Sequence, residues 1–542
     1  MYLGTDASKY VTRRPVNNQG SEKSFEALVS AIQDCDLNHL RCHLGVDGKL
    51  TTEIPRLPTR VIDVGSIKPP RAPRLFISKG QKGKYASLSH CWGGQRWLAT
   101  TSSTIYEMQD GFELDHIPRT YADAITVTRS LGLQYLWIDS FCIIQDDRDD
   151  WRAESQNMGN IYEQAYCNIA ATGAEDGQTG FLKNRNPEYT LVRIPSSKAK
   201  RDYVYFSNQP NSDFNKSVSQ AKINTRGWVL QERILSRRTI HFAKDQWYLE
   251  CREHIISEDG WSHEIPAPSE STIPIGKILI KENDGANVLS DKSKEQQTPP
   301  TDVLWVQILR SYSNCQLTFV TDKIPALEGI AKRFYALIPH SYVFGHWLAV
   351  SKPLPLSLMW SAAEEGGATF PTEKRAPSWS CLKADGPIKF FDCPGGCGYT
   401  RIDKFMTQKD STLPNDTSIV LRGKLRKANK LFPNGSGTAK KDTSFSISYM
   451  SKTSDGNFTT TLGHAKFDHG DEAPSEFTLL FTFGRDTERS KNAPAEYLAL
   501  ILQEVEDGSA ASACPVYRRI GLALLNSQMF FYEIQFSSLR II

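Results

Sequence analysis

The sequence has little of what membrane, secreted and nucleic-acid-binding proteins need. No apolar run approaches the roughly eighteen residues of a membrane-spanning helix, and the opening residues MYLGTDASKY contain no hydrophobic signal segment. The 64 basic and 61 acidic residues leave a net charge of only +3, which gives no general attraction to nucleic acid. With 39% hydrophobic and 23% charged residues, the 542-residue chain is typical of a soluble protein of several domains. We therefore expect a cytoplasmic protein with neither a membrane span nor a nucleic-acid partner.

Known cofactor-binding patterns are missing as well. The chain contains no Walker-type phosphate loop and no G-x-G-x-x-G sequence. Its eleven cysteines are scattered and odd in number, which indicates reduced thiols and not a disulfide framework. One stretch places four ligand-type residues close together: Cys35, His39, Cys42 and His43. A second cysteine pair at zinc-site spacing does not follow, so we predict neither a metal site nor a bound cofactor.

The region 135–171 predicts an α/β unit. The apolar run 135–138 predicts a buried strand, and a helical pattern follows an acidic cluster in which Asp149 or Asp150 is the expected N-cap. The short apolar run 167–171, bounded by polar residues, predicts the next buried strand. The order strand, helix, strand is typical of a parallel α/β unit.

The flanking segments extend this unit on both sides. The apolar patterns predict strands at 57–64 and 85–92, helices at 117–131 and 225–238, and a hairpin of strands at 239–242 and 246–251. Because side chains alternate along a strand, Ser89 and Cys91 should face one way and His90 the other. This alternation counts against a nucleophile–base pair of His90 and Cys91.

Composition shifts divide the rest of the chain. From residue 418 onward, short strands separated by turn residues indicate a sandwich-like or barrel-like β domain, and the run 530–536 is the last predicted strand. We predict an N-terminal helical lead-in, an α/β domain with a helical extension packing on it after a linker, and a β-rich C-terminal domain. The predicted boundaries are 1–56, 57–261, 262–300, 301–382 and 383–542.

Taken together, these segments resemble the HET (heterokaryon incompatibility) domain family of filamentous fungi. LPTRVIDVG at 57–65 and YASLSHCWGG at 85–94 look like the opening strands of the family. The segment 117–172 is similar to its central motif almost throughout, and NTRGWVLQERILSRRTIHFAKDQWYLEC at 224–251 looks like its closing motif. The resemblance is dense over 57–382 and weak elsewhere.

This resemblance implies a function and a fold. HET domains trigger cell death when incompatible fungal strains fuse, so the expected protein is a cell-death effector of fungal allorecognition and innate immunity. The family has been proposed to be related to TIR domains, which are flavodoxin-like. We therefore expect a TIR-like α/β fold with a mostly parallel sheet, followed by a helical segment and the β-rich domain.

The TIR relationship also implies a chemistry. Some TIR domains act as NADases: one glutamate, in a Trp-Cys-x-x-Glu-Leu pattern, hydrolyses the nicotinamide–ribose bond of NAD. Here Trp228-Val-Leu-Gln-Glu232-Arg is similar, with Val229 in place of the cysteine. The resemblance thus implies Glu232 as the catalytic residue and NAD, or a related nucleotide, as the substrate. The alternative is that Glu232 forms a surface salt bridge with Arg226 or Arg233.

Substrate-binding residues follow from the expected sheet. Open α/β sheets bind ligands beyond the carboxyl ends of their strands. The expected lining residues are Ser89, His90, Trp92, Asp139 and Trp228. The two tryptophans are candidates for stacking on a base or nicotinamide ring, and core packing is the alternative for both. Asp139 could instead cap a helix or anchor a buried hydrogen bond.

Two other classes of function stay open. The HET domain could be a non-enzymatic signalling module that triggers death by assembling with itself or with a protein partner. The chain could also be a cysteine hydrolase that pairs Cys91 or Cys142 with His90 or His241. No sequence pattern supports the hydrolase, and both cysteines lie in apolar runs where thiols are inert.

Overall fold

The structure is a computed structural model of the chain. It describes residues 16–45, 49–51, 53–66, 69, 71–93, 98–185, 191–195, 203–207, 214–265, 301–335, 338, 340–363, 368–371, 375–391, 397–398, 400–405, 418–430, 444–453, 456–468, 474, 476–485, 496–505, 514–525, 531 and 534–542. The chain divides into two compact units. The first unit contains residues 1–298 and 325–336, and the second contains residues 299–324 and 337–542. The predicted domain boundaries stay a prediction, and most of the predicted linker, from residue 266 on, lies outside the described residues.

The helices fall where apolar residues recur at helical spacing. Their bounds are α1 Glu22–Asn38, α2 Ile105–Asp110, α3 Arg119–Ser130, α4 Asp139–Cys142, α5 Arg148–Gln164, α6 Gly227–Leu235, α7 Thr301–Ser313 and α8 Pro325–Phe334. Helix α8 belongs to the first unit and α7 to the second. Among the described residues, no helix combines the length and the apolar character that crossing a membrane requires.

A mixed sheet forms the centre of the first unit. Its strands are β1 Arg60–Asp63, β2 Arg74–Ile77, β3 Tyr85–Ser89, β4 Tyr135–Trp137, β5 Cys167–Ala170, β8 Arg238–Phe242, β9 Trp247–Cys251, β10 His254–Ser257 and β11 Ser262–Glu264. In the described part of the chain these nine strands have the order β11-β10-β9-β8-β5-β3-β4-β1-β2. The strands β6 Leu191–Pro195 and β7 Tyr203–Ser207 form a separate antiparallel pair.

The prediction of a mostly parallel sheet is wrong for the sheet as a whole. Strand β3 runs parallel to β4 and β5, and β5 runs parallel to β8, so the parallel part is the central run β4-β3-β5-β8. Strands β1 and β2 at one side and β9 to β11 at the other are antiparallel. The difference follows from the connections, because helix-bearing crossovers join parallel strands whereas short turns join antiparallel neighbours.

The predicted strand–helix–strand unit is confirmed as β4, α5 and β5, with one correction at the helix start. The N-cap of α5 is Asp147, whose carboxylate accepts the backbone N–H groups of Asp149 and Asp150 at 2.9 and 3.1 Å. Asp150 instead accepts both hydrogen bonds of the Arg60 Nη2 group at 2.6 Å. Several adjacent aspartates could cap this helix from sequence alone. In the structure Asp150 pairs with Arg60 of β1, and Asp147 caps the helix.

Five strands of the first unit are covered on both faces. Every residue of β1, β3, β5, β8 and β9 is buried. A strand that is covered on both faces has no solvent-exposed face, so its sequence need not alternate between polar and apolar residues. The predicted hairpin of strands is confirmed as β8 and β9, whereas β3 ends at Ser89, so the predicted strand alternation does not extend to His90 and Cys91.

The second unit is rich in β-strands, as predicted. Its strands are β12 Ser341–Val343, β13 His346–Leu348, β14 Trp360–Ala362, β15 Ile388–Phe390, β16 Cys397–Gly398, β17 Arg401–Phe405, β18 Ile419–Gly423, β19 Leu425–Lys430, β20 Ser444–Thr453, β21 Gly456–Phe467, β22 Glu476–Arg485, β23 Glu496–Glu504, β24 Val516–Leu525 and β25 Ser537–Ile541. Pairing runs from β22 through β19, β20, β21, β24 and β23 back to β22, so these strands close into a ring. The last strand begins at Ser537, after the predicted run 530–536, part of which lies outside the described residues.

Candidate functional site

The candidate site lies at the carboxyl edge of the parallel strands. Ser89 is the last residue of β3, and Asp139 follows shortly after β4 ends at Trp137. Glu232 lies on α6, which directly precedes the parallel strand β8. Three segments that are distant in sequence therefore meet at the edge where open α/β sheets bind ligands.

The centre of the site is a buried hydrogen bond between Ser89 and Glu232. The Ser89 hydroxyl donates to Oε2 of Glu232. The Asn168 side-chain amide on β5 in turn donates to the Ser89 oxygen at 2.9 Å, and Ser87 donates to the Asn168 carbonyl oxygen at 3.2 Å. Glu232 is 4% exposed and Ser89 1% exposed, so this chain of bonds lies in the protein interior and fixes the orientation of the carboxyl group.

Burial changes the protonation of this carboxyl. Desolvation raises the pKa of Glu232 to about 7, and the nearby charge of Asp139 acts in the same direction. The Arg226 guanidinium has the largest opposing effect on this pKa. The hydrogen bond from Ser89 and the nearby Tyr162 hydroxyl, which itself donates to the Leu88 carbonyl, also lower this pKa. The result is a carboxyl group that changes charge near neutral pH, which is the range that acid–base and electrostatic catalysis use.

A second network surrounds Asp139. The Trp92 indole N–H donates to Oδ2 of Asp139 at 2.9 Å, and the backbone N–H of Ser140 donates to Oδ1 at 2.7 Å. His90 Nδ1 lies 3.9 Å from Oδ1 of Asp139, and His90 Nε2 lies 3.0 Å from the Tyr121 hydroxyl. Burial lowers the pKa of His90 to about 4, so its ring is neutral at physiological pH.

Arg226 connects the two networks. Its Nη1 donates to the backbone carbonyl of His90, and its charge acts on the pKa of both Glu232 and His90. The expected alternative of a surface salt bridge for Glu232 is wrong, because Glu232 is buried. Arg233, the other predicted partner, pairs with Glu250 at 2.7 and 3.0 Å.

The predicted site residues are placed as follows. Ser89 and Glu232 are in direct contact, and His90, Trp92 and Asp139 form the adjoining network. The Trp92 ring is half-buried and lies nearly parallel to the His90 ring, with the centroids 6.3 Å apart and an interplanar angle of 11°. Trp228 is half-buried, one helical turn before Glu232, and packs on the main apolar cluster of the first unit.

Several members of the site were not among the predicted residues, among them Asn168, Tyr162 and Arg226. Asn168 had a usable signal, because it is a polar residue inside an otherwise apolar buried strand. Tyr162 had none, since a tyrosine on the buried face of a helix is ordinary packing. Arg226 was considered only as a salt-bridge partner, and its contact with the backbone of His90 depends on the tertiary structure.

The residues of the cysteine-hydrolase alternative do not form a nucleophile–base pair. Burial raises the pKa of both Cys91 and Cys142, which keeps the thiols protonated. The two ring nitrogens of His241 contact Glu250 Oε2 at 3.0 Å and Thr172 Oγ1 at 3.2 Å. His90, as described above, contacts a tyrosine hydroxyl. In the described part of the chain, the hydrogen bonds of His90 and His241 therefore go to groups other than these two thiols.

A large cavity lies at the other end of β3. Its volume is about 920 Å³, and Tyr85, Ile161 and Arg237 are among the residues that line it. Tyr85 is the first residue of β3 and Ser89 the last, so this cavity opens at the amino end of the strand. Glu232 is not among its lining residues, and the two places on the first unit are distinct.

Comparison with known proteins agrees with the sequence resemblance. The family model described as Heterokaryon incompatibility protein (HET) matches residues 85–232, a segment that begins with β3 and ends at Glu232. Neither the curated proteins nor the solved structures contain a match to the chain. This match confirms the predicted resemblance to the HET family over residues 85–232 and suggests a function of the heterokaryon-incompatibility type.

Proposed function

We propose that the HET domain hydrolyses the nicotinamide–ribose bond of NAD, with Glu232 as the catalytic carboxylate, and that this activity causes cell death. The observation that carries the proposal is the buried Glu232 carboxyl, oriented by Ser89, with a pKa near 7. A buried carboxyl with a raised pKa destabilises the folded state when it ionises, and groups of this kind cluster at functional sites.

The strand order gives independent support. If the parallel strands are counted along the chain, β3 is first, β4 second, β5 third and β8 fourth, and their order in the sheet is 2-1-3-4. Flavodoxin-like folds begin with the same order and bind ligands at the switch point between strands 1 and 3. Ser89 and Asn168 lie on those two strands, so a TIR-like ligand site is expected at this point.

The chemistry suits one carboxylate. The nicotinamide ring leaves with the electrons of the C–N bond and becomes neutral, so positive charge develops on the ribose carbon in the transition state. An ionised Glu232 beside that carbon would stabilise this charge, and the exclusion of water would strengthen the effect. Water then bonds to the ribose carbon and releases a proton, which gives ADP-ribose and free nicotinamide.

The residues around Glu232 would bind the substrate and orient the catalytic carboxylate. Trp92 offers a half-buried aromatic face for the adenine or nicotinamide ring, and Asp139 holds its indole in place. Ser89 would hold the Glu232 carboxyl group toward the ribose. The positive charge of the bound nicotinamide ring would favour the ionised form of Glu232, in addition to the effect of Arg226.

The test is to incubate the purified full-length chain with NAD and to measure the release of nicotinamide by chromatography. We expect Glu232→Gln to reduce the rate by about a hundredfold or more, as loss of an electrostatic group in a dry site does. The matched control is Glu154→Gln, another buried glutamate of the first unit, which lies 3.6 Å from Arg60. Unchanged turnover in a folded Glu232→Gln variant would remove Glu232 from the mechanism.

The competing function is a signalling module that acts by self-association or by binding a protein partner. Expression of the wild type and of Glu232→Gln in yeast separates the two. Toxicity that disappears with Glu232→Gln supports the hydrolase. Equal toxicity of both proteins, together with no nicotinamide release from concentrated wild type, would overturn the hydrolase and favour the signalling module.

A further inference from the structure

Three cysteines and a histidine meet inside the first unit, away from the Glu232 site. Cys35 lies in the last turn of α1, His39 follows that helix, and Cys42 lies in the 3₁₀ turn Leu40–His43. Cys251 is the last residue of β9. All four residues are buried, and their ligand atoms lie within 4.8 Å of one another.

We propose that this cluster is a structural metal site that binds one Zn²⁺ ion through three thiolates and one imidazole. Zinc prefers four such ligands in a tetrahedron, with bonds of about 2.3 Å to sulfur and about 2.0 Å to nitrogen. Tetrahedral angles then place the ligand atoms about 3.5 to 3.8 Å apart. Cys251 Sγ and His39 Nδ1 lie 3.3 Å apart, so only small movements would bring this pair to the geometry of a bound ion.

The surroundings of the sulfur atoms suit thiolates. The backbone N–H groups of Glu253 and His254 donate to Cys251 Sγ at 3.4 and 3.2 Å. The Arg238 Nε donates to Cys35 Sγ at 3.1 Å. Donors of this kind stabilise the negative charge of metal-bound sulfur and are the usual outer contacts of a metal site. Three thiolates around Zn²⁺ carry one net negative charge, and the buried Arg238 guanidinium, which also pairs with Asp36, lies beside one of these sulfur atoms.

The histidine is also held in place. The His39 ring stacks on the His254 ring, with centroids 4.4 Å apart and an interplanar angle of 11°. His43, the other histidine of this stretch, is not a member of the cluster, because its Nε2 lies 2.9 Å from the backbone carbonyl of Asp36. The set is therefore Cys₃His, which includes one ligand that the local sequence does not suggest.

The position of the fourth ligand explains both the missed prediction and the role of the site. Cys251 is 212 residues from His39, so the N-terminal stretch taken alone does not reveal the complete ligand set. A bound ion would tie α1 and the following turn to strand β9 of the sheet. All four ligand positions belong to the protein, and a closed set of this kind is structural, whereas catalytic zinc keeps one position open.

Metal analysis of the purified full-length chain is the first test. After expression with added zinc and dialysis, we expect about one zinc ion per chain. The chain with Co²⁺ in place of Zn²⁺ should show a thiolate-to-cobalt charge-transfer band and the intense visible bands of tetrahedral cobalt. This spectrum reports the ligand set without any substitution, so it does not depend on a variant that folds.

Substitution tests the individual ligands. We expect Cys251→Ser to lose most of the zinc and to lower the melting temperature. The matched control Cys142→Ala, a buried cysteine of the same unit outside the cluster, should keep the full zinc content. A zinc-supplied, natively folded wild type without metal would overturn the proposal, and so would a Cys251→Ser variant with full zinc content and an unchanged cobalt spectrum.

Discussion

Ser89 and Glu232 are 143 residues apart in the sequence and share a hydrogen bond in the interior of the first unit. Ser89 ends strand β3 in the parallel part of the sheet, and Glu232 lies on helix α6, which leads into β8, two strands away from β3. Because neither side chain reaches solvent, the protonation of Glu232 is coupled both to the stability of the fold and to any activity of the site.

The first prediction concerns stability and pH. The pKa of Glu232 is about 7 in the folded chain and about 4.5 when it is exposed, so the folded state favours the protonated form. The resulting stability is fully present below pH 4.5 and is lost as the pH rises to about 7. The free energy of unfolding falls by about 3 kcal/mol over this range, because each unit of pKa difference corresponds to about 1.4 kcal/mol.

Replacement of the Glu232 carboxyl by the neutral amide of glutamine should remove this pH dependence of stability. We expect Glu232→Gln to match the wild type in stability at pH 4.5 and to be more stable by up to about 3 kcal/mol at pH 8. Denaturant unfolding at several pH values measures the difference. Glu175→Gln, at an exposed position paired with Lys244, is the control and should show no such trend. A constant difference between wild type and Glu232→Gln across this range would contradict the raised pKa.

The second prediction concerns the pH dependence of the proposed activity. If the ionised carboxylate is the active form, kcat/KM should rise with pH through about 7 and then level off. The Ser89 hydrogen bond lowers the pKa of Glu232, so Ser89→Ala should move the rise to higher pH. Its activity should therefore fall several-fold more at pH 6 than at pH 9. An equal loss at both values would assign Ser89 a role other than tuning Glu232.

The third prediction concerns the start of α5. Asp147 accepts two backbone N–H groups of the first turn, so Asp147→Ala should lower the free energy of unfolding by about 1 kcal/mol. Asp149 lies in the same turn, and its side chain is 93% exposed. Asp149→Ala should therefore cost much less, and equal effects of the two changes in thermal unfolding would argue against Asp147 as the cap.

The fourth prediction concerns a buried ion cluster of the second unit. Oδ2 of Asp468 lies 2.8 Å from Arg519 Nη1 and 2.9 Å from Lys383 Nζ, and the Asp468 and Arg519 side chains are fully buried. Asp468→Asn leaves two buried cations without their counter-charge, so we expect a loss of about 3 to 5 kcal/mol. Asp403→Asn on the exposed side of β17 is the control, and its unfolding midpoint should stay near the wild-type value.

Local pattern predicted most of the elements in the first unit. Strands β4 and β5 and helices α3, α5 and α6 lie where the apolar spacing indicated, because the buried face of each element leaves a period in its own sequence. The parallel character of the sheet was overestimated. Strand direction depends on how connections run in space, and that information is not in any single segment.

The proximity of the candidate site residues could be anticipated only in part. Ser89, His90, Trp92 and Asp139 follow the ends of strands, so their convergence could be inferred from the fold class. The buried state of Glu232 and the contact of Arg226 with the His90 backbone could not. Both depend on how α6 packs on the sheet.

By itself, the sequence determined the alternation of strands and helices, the β-rich second half and the HET resemblance, because periodicity and motif spacing are properties of neighbouring residues. The tertiary structure alone decided that Glu232 is desolvated and that Cys251 joins His39 and its neighbours. Desolvation and metal-ligand geometry are set by atoms from segments far apart in the chain, and only packing brings those atoms within a few ångströms of one another.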